Sequence, residues 1–302
     1  MSTTQTISAI GIGNMGAALS LALLKAGIKL TIWNRTADRP LVKSVVAAGA
    51  TLETDIKSAV AKNDGILIFC VVDYDAMYKL LEPLRETSDG LAGKTIVNLT
   101  NGTPKQAIEM NQWIKARGAA HYFDGAVLVT PQMVATPAGL LVYSGETQQV
   151  FDGIKDALTP LGHPLYYGPD VDAAAAQDLA LLAAMYGMFY GAFVGMGILK
   201  RAGKGQGNKV LPGTQQVTSP IIAALAAHLD KLAAVVDSED WTINDGNPLE
   251  MQFVGLNNII QAAEDAKVDG SGLKIMASAM GKAVEDGWGD GALSAAIKHL
   301  LL

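Results

Sequence analysis

Gly11-Ile12-Gly13-Asn14-Met15-Gly16 stands between a β-rich apolar run at 6–10 and a helical stretch at 15–26. A lone G-x-G-x-x-G is a weak sign, but a strand before it and a helix after it give each glycine a task. Gly11 permits a tight turn, Gly13 lets a phosphate approach the backbone, and Gly16 lets helix and strand pack closely. The opening turn of the helix, Asn14 and Met15 included, then offers unpaired N–H groups to an anion. The pattern predicts the first turn of a Rossmann unit, with a dinucleotide pyrophosphate on the loop.

The next strand, at 29–33, ends in Trp33-Asn34-Arg35-Thr36. A fold that selects NAD usually places a carboxylate here for the ribose 2′-OH. This chain has Asn34, followed by a guanidinium that can bind a 2′-phosphate and stack on adenine. Thr36 adds a hydroxyl and Arg39 a second positive charge. The reading favours NADPH over NADH. Ligands of such sheets sit at the carboxyl ends of the strands. Val71-Val72-Asp73 and Asn98-Leu99-Thr100-Asn101-Gly102-Thr103-Pro104 are therefore expected to border the cofactor, with Asn98 and Thr100 near the nicotinamide.

Further strands are expected at 65–72, 94–99, 122–127, 139–143 and 164–167, with helices at 104–117 and 147–161. Alternation of this kind implies βαβ units and a doubly wound, mostly parallel sheet. Past Gly168-Pro169-Asp170 no strand is expected. One long helix at 171–201 leads through a Gly-rich connection at 203–213 to helices at 219–236, 249–266 and 272–286, with a final segment at 291–302. The fold class is thus α/β: a Rossmann domain at 1–168, an interdomain helix at 169–201 and an all-helical domain at 202–302.

The 302 residues suit about two domains, and 50% are hydrophobic. A net charge of −6 argues against binding a nucleic-acid backbone, which needs a basic face. The single cysteine, Cys70, reads as a buried strand thiol. The four histidines, His121, His163, His228 and His299, have no metal-ligand spacing, so no metal is expected. The start of the chain lacks a basic n-region, and the protein is expected to be cytoplasmic. The Asn-x-Thr triplets at Asn34, Asn98 and Asn101 then read as loop chemistry rather than glycan sites. From Leu179 to Leu199 there is no charge, long enough for a bilayer. With Asp178 at its edge and a soluble α/β context, this helix is expected to be buried between domains or subunits.

Taken together, these residues resemble the β-hydroxyacid dehydrogenase superfamily, and within it the imine reductases and reductive aminases. Beyond the loops already quoted, Asp178 with Tyr186 and Asn247-Pro248-Leu249-Glu250-Met251-Gln252 carry the likeness. Ordinary hydroxyacid dehydrogenases place a Lys on the long helix, where this chain matches Asp178. They also carry a Ser-Gly-Gly carboxylate loop, where this chain continues Leu128-Val129-Thr130-Pro131. Carbonyl reduction builds negative charge and profits from Lys; iminium reduction starts from a cation that a carboxylate attracts. Tyr186, eight residues on, shares a helix face with Asp178 and can offer its hydroxyl to a substrate nitrogen.

The resemblance implies that Asp178, Tyr186 and Asn98 act on the substrate. Met251 and Gln252 would line its pocket, contributed by the partner of an intertwined homodimer. The expected substrate is an imine, or a carbonyl compound plus an amine. Two other readings remain open: a carbonyl or β-hydroxyacid reductase with an altered acid, and a non-catalytic NADPH-binding regulator. A buried polar pair has no use in the last of these.

Overall fold

The computed structural model describes residues 6–62, 65–84, 90–203, 209–244 and 246–301. Eight strands form one sheet: β1 (Ile7–Ile10), β2 (Leu30–Trp33), β3 (Thr51–Glu53), β4 (Ile66–Phe69), β5 (Thr95–Asn98), β6 (His121–Val127), β7 (Leu140–Ser144) and β8 (His163–Tyr166). Their spatial order is β3-β2-β1-β4-β5-β6-β7-β8. All neighbours run parallel except β6 and β7, which pair Asp124 with Ser144 and Val127 with Leu141. Every residue of β1 and β4 is buried, as a strand must be when helices cover both faces.

The helices between them are α1 (Asn14–Lys25), α2 (Pro40–Ala47), α3 (Ile56–Ala61), α4 (Tyr74–Leu81), α5 (Pro104–Lys115) and α6 (Gln148–Leu158). Local chemistry sets several starts. The Asp73 carboxylate accepts from the Ala76 N–H at 2.7 Å and opens α4. Thr103 and Gln106 form a capping box, with Pro104 in the first helical position, and open α5. Such a cap stabilises by about 1 kcal/mol.

Strand β3 and helices α2, α3 and α4 were not anticipated from sequence. They are three to eight residues long, too short to show a clear hydrophobic period. The strand expected at 65–72 stops at Phe69, because the chain there leaves the ladder for the turn that Asp73 caps.

The chain divides into two compact units, Met1–Ala183 and Ala184–Leu302. The division falls inside one helix, α7 (Ala173–Ala202). The Gly-rich connection expected at 203–213 lies partly outside the described residues, and its end, α8 (Leu211–Gly213), is helical. The second unit continues with α9 (Ser219–Leu225), α10 (His228–Ser238), α11 (Leu249–Asp265) and α12 (Ser271–Ala283). The helix expected at 219–236 is two helices. Tight bonds from Ala226 N–H to Ala223 O and from Leu229 N–H to Ala226 O interrupt the regular ladder. A core of Val235, Trp241, Leu249, Met280, Ala283 and Ala295 holds this unit together. Within it the Tyr190 hydroxyl accepts from the Gly272 N–H at 2.8 Å.

Among the described residues, two helical stretches are long and apolar enough, by length and composition alone, to cross a membrane: Ala173–Arg201 and Leu211–Ser238. Within one chain their apolar side chains stay largely uncovered: Phe193, Leu211, Val217, Ile221 and Leu225 are all exposed.

Candidate active site

The glycine loop and the second strand end line one cleft of about 820 Å³. Its walls include Gly11, Gly13, Asn14, Met15 and Gly16, then Asn34, Arg35, Thr36 and Arg39, then Val71, Val72 and Asp73. Sequence reasoning missed other lining residues, among them Trp33, Asp75, Lys79 and Leu80. These come from the end of β2 and from α4, the helix it did not foresee.

The loop is shaped for close approach. Gly11 has φ +97°, and a Cβ there would overlap the Cys70 carbonyl oxygen. A Cβ on Gly16 would overlap the Gly11 carbonyl. Nothing lies within 4 Å of the Cβ position on Gly13, which leaves room for a phosphate at the start of α1. Cys70 stands just past β4 rather than in it, on the cleft wall. Burial pushes its thiol up to about 11, so it stays protonated and unreactive near neutrality.

Asn34 does what an acid could not. Its Oδ1 accepts from the Ile12 N–H at 2.9 Å, while its Nδ2 donates to the Thr36 carbonyl at 2.8 Å. A carboxylate has no hydrogen for the second bond and would repel a 2′-phosphate. The carboxamide thus ties the glycine loop to the segment that carries Arg35, and Arg35 and Arg39 charge that end of the cleft. A tight glycine turn, an open phosphate approach and a cationic adenosine end fit NADPH.

The polar turn after β5 leads to Asp178. The Asn101 amide donates to Asp178 Oδ2 at 2.6 Å. Asp178 stands in the second turn of α7 and is 6% exposed. Burial raises its pKa, and the bond from Asn101 opposes that rise. Asn101 was expected only as part of a polar strand end. Its role was missed because it depends on a partner 77 residues away.

Asn98 and Thr100, expected near the nicotinamide, are buried and are not among the residues that line this cleft. Asn98 is fully buried, and its amide donates to the Tyr122 hydroxyl at 3.1 Å and to Asp124 Oδ1 at 3.2 Å. Its own Oδ1 accepts from the Thr100 N–H at 3.1 Å, and Thr100 Oγ1 accepts from the Val71 N–H at 3.2 Å. The Tyr74 hydroxyl donates to Asp124 at 2.5 Å and the Tyr122 hydroxyl at 3.2 Å. Burial pushes the Asp124 carboxyl up to about 7, its hydrogen bonds pull it down, and the Asp178 charge adds to the rise. A carboxylate inside the apolar strand Tyr122-Phe123-Asp124-Gly125-Ala126-Val127 was the sequence signal for this cluster.

The other expected substrate residues belong to the helical unit. Tyr186 lies on α7 past the division and is 64% exposed, with its ring edge-on to Phe189. Met251, in the first turn of α11, is exposed. Gln252 beside it donates to the Asn247 carbonyl at 2.7 Å.

Comparison with known proteins agrees with this geometry over the whole chain. Residues 6–168 match the model for the NAD binding domain of 6-phosphogluconate dehydrogenase. Residues 170–301 match the C-terminal domain of NADPH-dependent reductive aminase-like proteins. An NADPH-dependent reductive aminase of Aspergillus oryzae is 34% identical over 97% of this chain and 96% of its own. A reductive aminase from Aspergillus terreus, solved with NADPH4, cyclohexanone and allyl amine, is 33% identical; it superimposes with a TM-score of 0.85 over 99% of this chain and 100% of its own. An imine reductase from Myxococcus stipitatus, solved with NADP+, is 28% identical, with a TM-score of 0.87 over 98% of this chain and 99% of its own. The chain belongs to the NADPH-dependent reductive aminase and imine reductase family.

Proposed function

We propose that this chain reduces imines or iminium ions to amines with NADPH, and that it accepts a carbonyl compound together with an amine. The carrying observation is the buried Asp178 held by Asn101, at the position where a carbonyl reductase of the superfamily would carry Lys. Bound NADPH supplies the hydride. Gly11, Gly13 and Gly16 seat its pyrophosphate, and Arg35, Thr36 and Arg39 receive the 2′-phosphate.

Asp178 supplies the electrostatics. Its carboxylate attracts a cationic substrate, and the attraction is strong where water is scarce. Reduction neutralises the cation, so the interaction holds the substrate before the step and weakens after it. The raised pKa also lets Asp178 carry a proton closer to neutral pH than an exposed carboxylate can. Asn101 fixes the carboxylate by holding Oδ2 and leaves Oδ1 for substrate. Tyr186 is the second polar group we assign to the substrate nitrogen, with Met251 and Gln252 on the pocket wall.

We further infer a cytoplasmic homodimer. A second copy of this chain is the occupant suited to the exposed faces of α7 and α9, which are too apolar to remain in water. A bilayer suits them less. The stretch from Leu211 to Ser238 carries Gln215, Gln216, His228, Asp230, Lys231 and Asp237, each expensive in hydrocarbon.

The deciding experiment is turnover of a cyclic imine with NADPH, followed by a ketone plus a primary amine. Consumption of NADPH with formation of the amine is expected. Reduction of ketone alone, with imines untouched, overturns the reading. Light scattering on detergent-free protein tests the assembly; a clean monomer, or protein confined to membranes, overturns that part.

A further inference from the structure

Asp124 is 1% exposed, and two arms lead from it to one short turn. The first runs through Asn98, which donates to Asp124 and accepts from the Thr100 N–H; Thr100 in turn accepts from Val71 on the cleft wall. The second runs through Tyr74, whose hydroxyl donates to Asp124 and whose ring packs closely against Gly102. A Cβ on Gly102 would overlap that ring. Both arms end on residues 99–103, between Thr100 and Gly102. The residue between those two is Asn101, the donor to Asp178.

We propose that Asp124 is a positioning residue for the reduction: through Asn98 and Tyr74 it fixes the turn that presents Asn101 to Asp178. This rests on the reading of Asp178 as the group that faces the substrate. The chemistry explains why a carboxyl oxygen stands here. Three donors, from Tyr74, Tyr122 and Asn98, converge on Asp124 Oδ1. An amide keeps one acceptor oxygen, but a neutral and weaker one than a carboxylate, and sets an NH2 where the second oxygen stood. Burying a carboxyl group is costly even when it is well bonded, so its value lies in placement rather than in stability. Of its partners, Asn98 is seated in β5, Tyr74 in α4 and Tyr122 in β6, so Asp124 links three elements at one atom.

The test uses the full-length enzyme with NADPH and a cyclic imine, in Asp124→Asn, Tyr74→Phe and the double variant. Misplacing a catalytic group by a fraction of an ångström to 1 Å costs about tenfold to a hundredfold in rate. For Asp124→Asn, kcat is expected to fall about tenfold or more while the NADPH KM stays within about twofold. Hydrogen exchange should quicken in the peptide covering 95–103 and stay at the wild-type rate in α1 and α2. Tyr74→Phe keeps the ring on Gly102 and should give the same pattern more weakly. The double variant should be no worse than Asp124→Asn, because both changes act on one path. Unchanged kcat in both single variants overturns the proposal. So does an NADPH KM that rises in step with the fall in kcat. If Asp124→Asn does not fold, Tyr74→Phe decides alone. If the wild-type enzyme leaves imines unreduced, the functional reading falls, and wild-type exchange at 95–103 in the variants then overturns the positioning role separately.

Discussion

Asp178 and Tyr186 stand two turns apart on one helix, yet their surroundings are opposite. Asp178 is 6% exposed, bonded to Asn101, and backed by a network that reaches into the sheet. Tyr186 is 64% exposed and touches another aromatic ring of its own helix. One end of α7 is finished with packing and a hydrogen bond, and the other is left exposed. The difference teaches where each half of the site gets its order. The cofactor cleft is organised by strand ends and caps, whereas Tyr186 and Met251 stand exposed on helices.

That contrast can be broken most directly at Asp178. Asp178→Asn removes the charge that holds an iminium and keeps the shape. Loss of one oriented electrostatic group in a water-poor site costs about 10²–10³ in rate, and because this group also holds the cationic substrate before the step, the loss is read in kcat/KM. Steady-state kinetics with a cyclic imine should show at least a roughly tenfold fall, while NADPH still binds, as read by fluorescence titration. Because burial raises the carboxyl pKa, neutralising it should not lower Tm at pH 8. Full imine turnover in this variant would show that the finished end of the helix is not the reactive one.

Arg35→Ala tests the other end of the cleft. Removal of a charge-assisted phosphate contact weakens NADPH binding by about 1.5–3 kcal/mol, roughly tenfold to a hundredfold in KM. The NADH KM should hardly move. Equal effects on the two cofactors would detach Arg35 from the 2′-phosphate.

Tyr186→Phe sharpens the comparison on the unfinished side. It keeps the ring and deletes one hydroxyl, so the loss of a hydrogen bond worth about 0.5–1.5 kcal/mol predicts a kcat/KM lower by roughly threefold to tenfold. Little change in Tm is expected, because the ring and its packing are kept. A large fall in Tm instead would reveal a packing role.

The smallest effect concerns pH and stability. Asp124 has a folded pKa near 7 against an ordinary value of 3.8. A raised acid binds its proton more tightly in the folded than in the unfolded chain. Its contribution to stability therefore falls as pH rises from about 4 to about 7 and is constant above that. Asp124→Asn lacks this titration. Its Tm relative to wild type should climb by a few degrees across that window, measured by scanning calorimetry at pH 5 and pH 8. A parallel pair of Tm curves would place the Asp124 pKa at its ordinary value.

The Rossmann unit was legible because its signals are local. A glycine loop between strand and helix, the run Trp33-Asn34-Arg35-Thr36, and buried strands each announce themselves within a few residues. The interior polar cluster was not legible in this way. Tyr74, Asn98, Tyr122 and Asp124 are four ordinary residues until the order β4-β5-β6 sets them side by side. Asn101 was visible as a polar strand end, but its bond to Asp178 spans 77 positions and needs the start of α7 to be placed. Asn34 shows a middle case. Its departure from a carboxylate was read as a matter of charge, and the structure adds a bridging geometry that only an amide can supply.

The reversed strand β7 has a mechanical consequence. Because it runs against β6, its last residue, Ser144, is the ladder partner of Asp124. The Ser144 hydroxyl donates to the Val171 carbonyl at 3.0 Å and accepts from the Ala174 N–H at 2.9 Å. Ala174 lies in the first turn of the helix, and Asp178 follows four residues later, a rise of about 6 Å and slightly more than one full rotation. The sheet thus works as a ruler and the helix as a short screw. The ruler fixes the starting point and the screw sets the angle at which the carboxylate faces Asn101. Each residue added to or taken from 175–177 would turn that face by about 100°.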